Sequence, residues 1–62
     1  MIRTKLISSL NDTVFKDDLD DFLAEVKTDC PNFKLIDIKF SVANYKQGDV
    51  IFSALVIYDN GL

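Results

Sequence analysis

The sequence predicts an α+β fold: a single small βαββ domain over residues 1–62, whose three-stranded antiparallel sheet has the order 1-3-2 and carries one helix on one face. The run from 34 to 44 largely alternates apolar and polar side chains, which is typical of a half-buried strand. The run from 50 to 58 is apolar on both sides, which indicates a central strand. A helical segment precedes both runs and follows a first, shorter strand.

The first strand is predicted at residues 1–8, where apolar and polar side chains again alternate. We assign the side that carries Ile2 and Leu6 to the face beneath the helix. Arg3 and Lys5 suit an edge strand, because basic side chains on an exposed edge discourage unwanted strand pairing.

The helix is predicted over residues 12–28. Asn11 is the expected N-cap, with Asp12 as the alternative, since both side chains can accept a free backbone N–H. Pro31 ends the helix because it disfavours helical dihedrals at the preceding Cys30. Apolar side chains recur at helical spacing and form one packing stripe, namely Phe15, Leu19, Phe22, Leu23 and Val26.

A hairpin joins the second and third strands, predicted at residues 34–44 and 50–58, with its turn in residues 45–49. Gly48 supplies the positive φ that such turns often need. The preferred register matches large with small side chains across the apolar face, pairing Val42 with Phe52, Phe40 with Ala54, Ile38 with Val56 and Ile36 with Tyr58. Residues 59–62 have no pattern and are expected to fray.

Topology follows from this order, because a crossover helix leaves the first two strands parallel and the hairpin reverses the third, which then fits between them. The helix is expected to cover a face made by Ile2, Leu6, Ile36, Ile38, Phe40, Phe52, Ala54 and Val56. The opposite face keeps an apolar patch, and such a patch usually contacts a partner. This predicted interaction face comprises Ile7, Leu35, Ile51, Leu55 and Ile57.

Composition narrows the classes of function. The net charge is −3 and the seven basic residues are dispersed, so no nucleic-acid partner is expected. Cys30 is the only cysteine and forms no internal disulfide, which favours the reducing cytoplasm. The apolar run at the amino terminus is too short for a signal peptide and no segment approaches membrane-spanning length, so we expect neither a leader nor a membrane partner.

Three strings carry a resemblance to a known family: LIDIKFS at Leu35–Ser41, FSALVIY at Phe52–Tyr58, and DDFL at Asp20–Leu23 within the helix. They resemble short proteins of Gram-positive bacteria and their phages that are labelled small sporulation proteins or a domain of unknown function. The resemblance implies a sporulation setting but assigns no catalytic or ligand residues. The order of elements also resembles dodecin, a flavin-storing shell protein, although this chain has no Trp to stack on a flavin.

Candidate chemical sites are few. The acidic run Asp17, Asp18, Asp20 and Asp21 could hold a divalent cation, and Asp17, Asp18 and Asp21 form its acidic helix face. An ordinary solvated helix face is the better explanation, because the calcium-loop pattern with its turn glycine is missing. Cys30 lies at the helix C-terminus, where the dipole has the wrong sign to stabilise a thiolate. Because the chain has no His for acid–base work, we expect no enzyme activity, no catalytic residues, no metal and no cofactor.

The leading hypothesis is a non-enzymatic assembly or interaction module that associates with itself through the open sheet face or its strand edges and also binds another protein. An alternative is a small acidic inhibitor of phage type, whose acidic helix face imitates phosphate charge on a host or defence protein. A ligand- or nucleotide-binding oligomer, with its pocket between subunits, remains open as a third possibility.

Overall fold

The computed structural model describes all 62 residues and contains four elements: β1 at Ile2–Ser9, α1 at Asp12–Asp29, β2 at Lys34–Asn44 and β3 at Val50–Asp59. Both neighbours of β3 pair with it antiparallel, so the strand order is β1-β3-β2. The predicted α+β fold and the central position of the third strand are therefore confirmed. No helix in the chain combines the length and the apolar character that crossing a membrane requires.

Helix α1 begins at the predicted residue and ends at Asp29, one residue beyond the predicted end. Asn11 is the N-cap, and its Oδ1 accepts the Val14 N–H at 3.0 Å. Cys30 closes the other end by donating its N–H to the Val26 carbonyl at 2.8 Å. The apolar stripe is confirmed, since Val26 is buried and the other four members are half-buried, namely Phe15, Leu19, Phe22 and Leu23.

The face of β1 that meets the helix is the opposite of the one predicted. Ile7 pairs with Ala54 and is only 6% exposed, whereas Leu6 is 65% exposed on the other side. Lys5 lies on the helix side because its aliphatic stem can cover apolar surface while its ammonium stays in water. Its Nζ lies 5.9 Å from the centre of the Phe22 ring.

The predicted hairpin register is confirmed over most of its length, from Val42 opposite Phe52 to Ile38 opposite Val56. It then shifts at a bulge, because Leu35 rather than Ile36 pairs with Tyr58. A bulge places two residues of one strand against one of its partner, so Ile36 has no cross-strand partner. The predicted pair of Ile36 with Tyr58 is therefore wrong.

At the other end of the hairpin, the turn is the predicted one. Gly48 has φ +91°, and Gln47 also has a positive φ of 45°. The Tyr45 N–H donates to the Asp49 carbonyl at 2.8 Å, which closes the loop between the two strands.

Helix α1 packs on β1 and β3 and leaves β2 uncovered. Two aromatic contacts fix it on the central strand, with ring centres 6.1 Å apart for Phe15 and Phe52 and 5.6 Å apart for Phe22 and Tyr58. One helix about 10 Å across covers about two strands spaced about 4.8 Å apart, so the third is left bare. The chain is accordingly elongated, with extents of 43 × 17 × 11 Å.

The sequence predicts that residues 59–62 fray, and the structure shows hydrogen bonds between this segment and the N-terminus that the sequence pattern does not indicate. Asp59 is the last residue of β3, and its Oδ1 accepts both the N-terminal ammonium at 2.9 Å and the Gly61 N–H at 2.8 Å. The N-terminal ammonium also donates to the Leu62 carbonyl at 2.6 Å. Contacts between the two termini therefore hold a segment that has no hydrophobic pattern of its own.

Candidate interaction surfaces

The most prominent feature of the surface is how much apolar side chain it exposes. Only four residues are buried, and these are Ile7, Val26, Ala54 and Val56. The accessible surface is 4553 Å², against roughly 4,000 Å² for a compact monomer of this mass. The radius of gyration is 13.0 Å, where about 10.6 Å is typical of a compact domain of this length. The chain therefore exposes roughly 500 Å² more than a compact chain of the same mass does.

The first apolar surface is the open face, which we define as the side of the sheet turned away from the helix. Its centre is the β3 column Ile51, Leu55 and Ile57, as predicted, and Leu55 is 36% exposed. Leu6 pairs with Leu55 on this face and Ile2 pairs with Asp59, so β1 contributes two apolar residues that the sequence prediction placed beneath the helix.

Two residues of the predicted interaction face lie elsewhere. Ile7 belongs to the core, because it pairs with Ala54 beneath the helix. Leu35 pairs with Tyr58, whose ring contacts Phe22 of the helix, so the bulge places it on the helix side. On the open face, Lys39 and Asp37 instead flank the apolar column and form an ion pair at 3.3 Å.

The second apolar surface is the β2 strip, which we define as Ile38, Phe40 and Val42 on the helix side of β2. Phe40 and Val42 are each 64% exposed, although they face the same side as the core. The sequence prediction placed Phe40 and Ile38 beneath the helix and so missed this surface. The width of one helix against three strands was the signal that could have revealed it.

The acidic helix face lies on the solvent side of α1. Asp17, Asp18 and Asp21 are all exposed. Nearby, the Lys16 Nζ lies 2.6 Å from Asp20 Oδ2, and this hydrogen bond raises the pKa of Lys16. No group of three or more Cys, Asp or Glu side chains is arranged as a metal site.

Two shallow grooves run along the seam between β1 and α1, with volumes of about 430 Å³ and about 360 Å³. Both contain Lys5, Phe22 and Glu25, so their walls mix a cation, an aromatic ring and a carboxylate. Asp18 and Asp21 line the larger groove, while Cys30, which is half-buried, lines the smaller one.

The third surface is the free edge of β2. In an antiparallel pair, residues alternate between directing their N–H and C=O groups at the partner strand and directing them away from it. Tyr45 donates to Asp49, so the ladder places the bonded positions of β2 at odd numbers. The groups of Ile38, Phe40 and Val42 therefore point outward. The Ile38 N–H confirms this independently, because it donates to the Asp37 carboxylate at 2.8 Å.

Comparison with known protein families places the chain in one of them. A family model described as "Sporulation protein Cse60" matches residues 1–60, which is nearly the whole chain. The resemblance to short sporulation proteins drawn from the strand and helix strings is thereby confirmed. No curated protein and no solved structure shows a significant similarity to the chain.

Proposed function

The chain belongs to the sporulation protein Cse60 family, and we propose that it acts as a small, non-enzymatic assembly module that associates with itself and presents the assembly to another protein. The observation that carries the proposal is the imbalance between a core of four residues and the apolar surface left outside it. The setting that we propose is the cytoplasm, where a lone cysteine such as Cys30 stays reduced.

The energetics favour association. A chain of about 60 residues buries only about 60% of the surface that its unfolded form exposes, so its own core supplies little stability. Here the large exposed apolar side chains of the sheet lie on both of its faces, including Ile2 and Leu6 on one side and Phe40 and Val42 on the other. Burying them against a second copy adds apolar contact that the single helix does not provide.

We propose no catalytic role, because no cluster of side chains has the parts of a general acid–base or nucleophilic site. The chain has no His, and its grooves are open and lined by exposed charges. Acid–base groups are useful at neutral pH when burial or neighbouring charges shift their pKa, and an exposed surface offers little of either.

Sedimentation equilibrium on the purified chain tests the proposal. We expect a species of at least twice the protomer mass of 7.0 kDa at micromolar concentration. A monomer across that range contradicts self-association. The triple variant Asp17→Asn, Asp18→Asn and Asp21→Asn is the matched control, since it removes the acidic helix face without touching the apolar surfaces. It should leave the measured mass unchanged, and dissociation of this variant would place the contact on the helix instead.

A further inference from the structure

We infer that the second copy binds along the free edge of β2, antiparallel to it, with the two-fold axis passing between the two Phe40 residues. The two sheets then join into one sheet of six strands, in the order β1-β3-β2 followed by β2-β3-β1 of the second copy. This inference rests on the proposed self-association and specifies its surface, register and symmetry.

The two edges of the sheet differ in how well they are protected. Helix α1 packs on β1, and this edge strand carries the basic residues Arg3 and Lys5. The regular part of β2, from Asp37 to Asn44, carries one basic residue, Lys39, which is paired with Asp37 on the open face. Natural sheets protect edges with charges, prolines, bulges or covering segments. The one bulge of β2 lies before this stretch of eight consecutive residues. On pairing, the Ile38 N–H would exchange the Asp37 carboxylate for the Val42 carbonyl of the second copy, so one hydrogen bond replaces another.

Hydrogen-bond geometry restricts the register of the pairing. Since the outward groups belong to even-numbered residues, these residues must pair with even-numbered residues of the second copy. Registers centred on Ile38, Lys39, Phe40 or Ser41 all satisfy this rule. Each of them is two-fold symmetric, so the same strand supplies both halves of the contact.

Side chains select among these four centres. A centre at Lys39 places two lysines opposite each other, and a centre at Ile38 pairs Phe40 with Ile36 inside the bulge. A centre at Ser41 places Asn44 opposite Ile38. Only the centre at Phe40 sets every residue of the β2 strip against another apolar residue of that strip, with Phe40 facing its own copy.

The available area and the position of the helices are compatible with this pairing. Over its whole surface, each copy exposes roughly 500 Å² more than a compact chain, so two copies have an excess of about 1,000 Å², comparable to the lower bound for a specific interface. Both helices lie on the same side of the joined sheet, since the axis is perpendicular to it. Their axes are about four strand spacings, or about 19 Å, apart. Packed helices have axes only about 8–10 Å apart, so the two helices do not clash.

Disulfide trapping tests the register. In a Cys30→Ser background, one cysteine is introduced at a time as Phe40→Cys, Ser41→Cys or Val42→Cys. In the inferred register the two copies of position 40 have Cα atoms about 5.5 Å apart, within disulfide range. The two copies of position 41 are about 8 Å apart and those of position 42 about 14 Å apart, which is too far. We therefore expect Phe40→Cys to form a covalent dimer under mild oxidation and the other two not to.

The possible outcomes distinguish a wrong register from an absence of self-association. A parent dimer in which Ser41→Cys or Val42→Cys is trapped better than Phe40→Cys, or in which none is trapped, overturns the inferred register while self-association stands. A parent chain that stays monomeric removes both. Circular dichroism on each variant confirms that it is folded before its trapping is compared.

A charge variant gives a second measurement that does not depend on trapping. Val42→Lys places an ammonium opposite Ile38 of the second copy and should raise the dimer Kd by about tenfold or more, because an unpaired charge is then desolvated. Leu55→Lys is the matched control on the open face and should leave the dimer Kd within about threefold of the parent. The reverse order of effects would move the contact to the open face and refute the inference.

Discussion

The same truncation at two valines distinguishes the core from the uncovered strand. Val56 is 0% exposed at the centre of β3, whereas Val42 is 64% exposed on β2. Val56→Ala removes about two buried methylene equivalents at about 0.8 kcal/mol each and leaves a cavity, for a total of about 2–3 kcal/mol. In the monomer only about a third of the Val42 side chain is buried, so Val42→Ala should cost about a third of the transfer free energy of two methylene groups, or about 0.6 kcal/mol. Small domains of this length have a stability of about 3–9 kcal/mol, so the first loss is large.

The assay is urea unfolding followed by circular dichroism at two protein concentrations. In the dilute, monomeric sample we expect the two variants to differ by at least about 1.5 kcal/mol. In the concentrated sample the cost of Val42→Ala should rise, because association covers the β2 strip and links its burial to unfolding. Equal costs in the dilute sample would show that α1 covers β2 in solution and would contradict the assignment of Val42 to an uncovered strand.

Three further predictions concern local structure. Asn11→Ala should lower the free energy of unfolding by about 1 kcal/mol, measured by urea unfolding, because the helix loses its N-cap. Gly61→Ala should destabilise the protein more than Gly48→Ala does in the same measurement. Both glycines have a positive φ, so both substitutions strain the backbone. Only at Gly61 would the added Cβ also lie 2.9 Å from the Asn32 carbonyl oxygen, because no atom lies within 4 Å of that position at Gly48. The hydrogen bond from the N-terminal ammonium lowers the pKa of Asp59 in the folded chain. The ionised Asp59 carboxylate therefore stabilises the fold above its unfolded pKa of about 3.9, and this contribution is lost as pH falls through the lower folded pKa. Asp59→Asn should flatten the acid limb of stability against pH, and an unchanged limb would contradict the pairing.

The strand order could be predicted from the sequence because the signal was strong. Residues 50–58 are apolar on both sides, and only a central strand shields both sides from water. The helix cap was equally clear, since Asn11 precedes an apolar stripe at helical spacing.

The sequence could not show which side of β1 packs beneath the helix, because both sides carry apolar residues. Ile2 and Leu6 make one side more apolar, yet Ile7 on the other side meets the buried Ala54. Lys5 tolerates the helix side only because it lies at the rim, above the Phe22 ring. That tolerance depends on the tertiary position of α1, which local alternation does not encode.

The bulge after Leu35 was hidden for a different reason. Leu35 and Ile36 are consecutive apolar residues, and no glycine marks the extra residue, so a regular strand and a bulged one have the same pattern. The consequence for the interaction surfaces is direct, because the bulge moves Leu35 away from the open face and limits regular pairing to the part of β2 that follows.

Because this chain has one helix for three strands, part of its sheet is covered only when the chain assembles. A helix that spans β1 and β3 fixes a core of four residues and leaves Phe40 and Val42 with no covering element of their own. Any contact between copies that covers them stabilises the folded form by an amount that grows with the logarithm of protein concentration, because the unfolded chain does not make that contact. The unfolding midpoint of the parent should therefore rise with concentration, and that of Val42→Lys should rise less. A midpoint that is independent of concentration in the parent would show that the thin core is sufficient on its own, and the physical reason for assembly would then be absent.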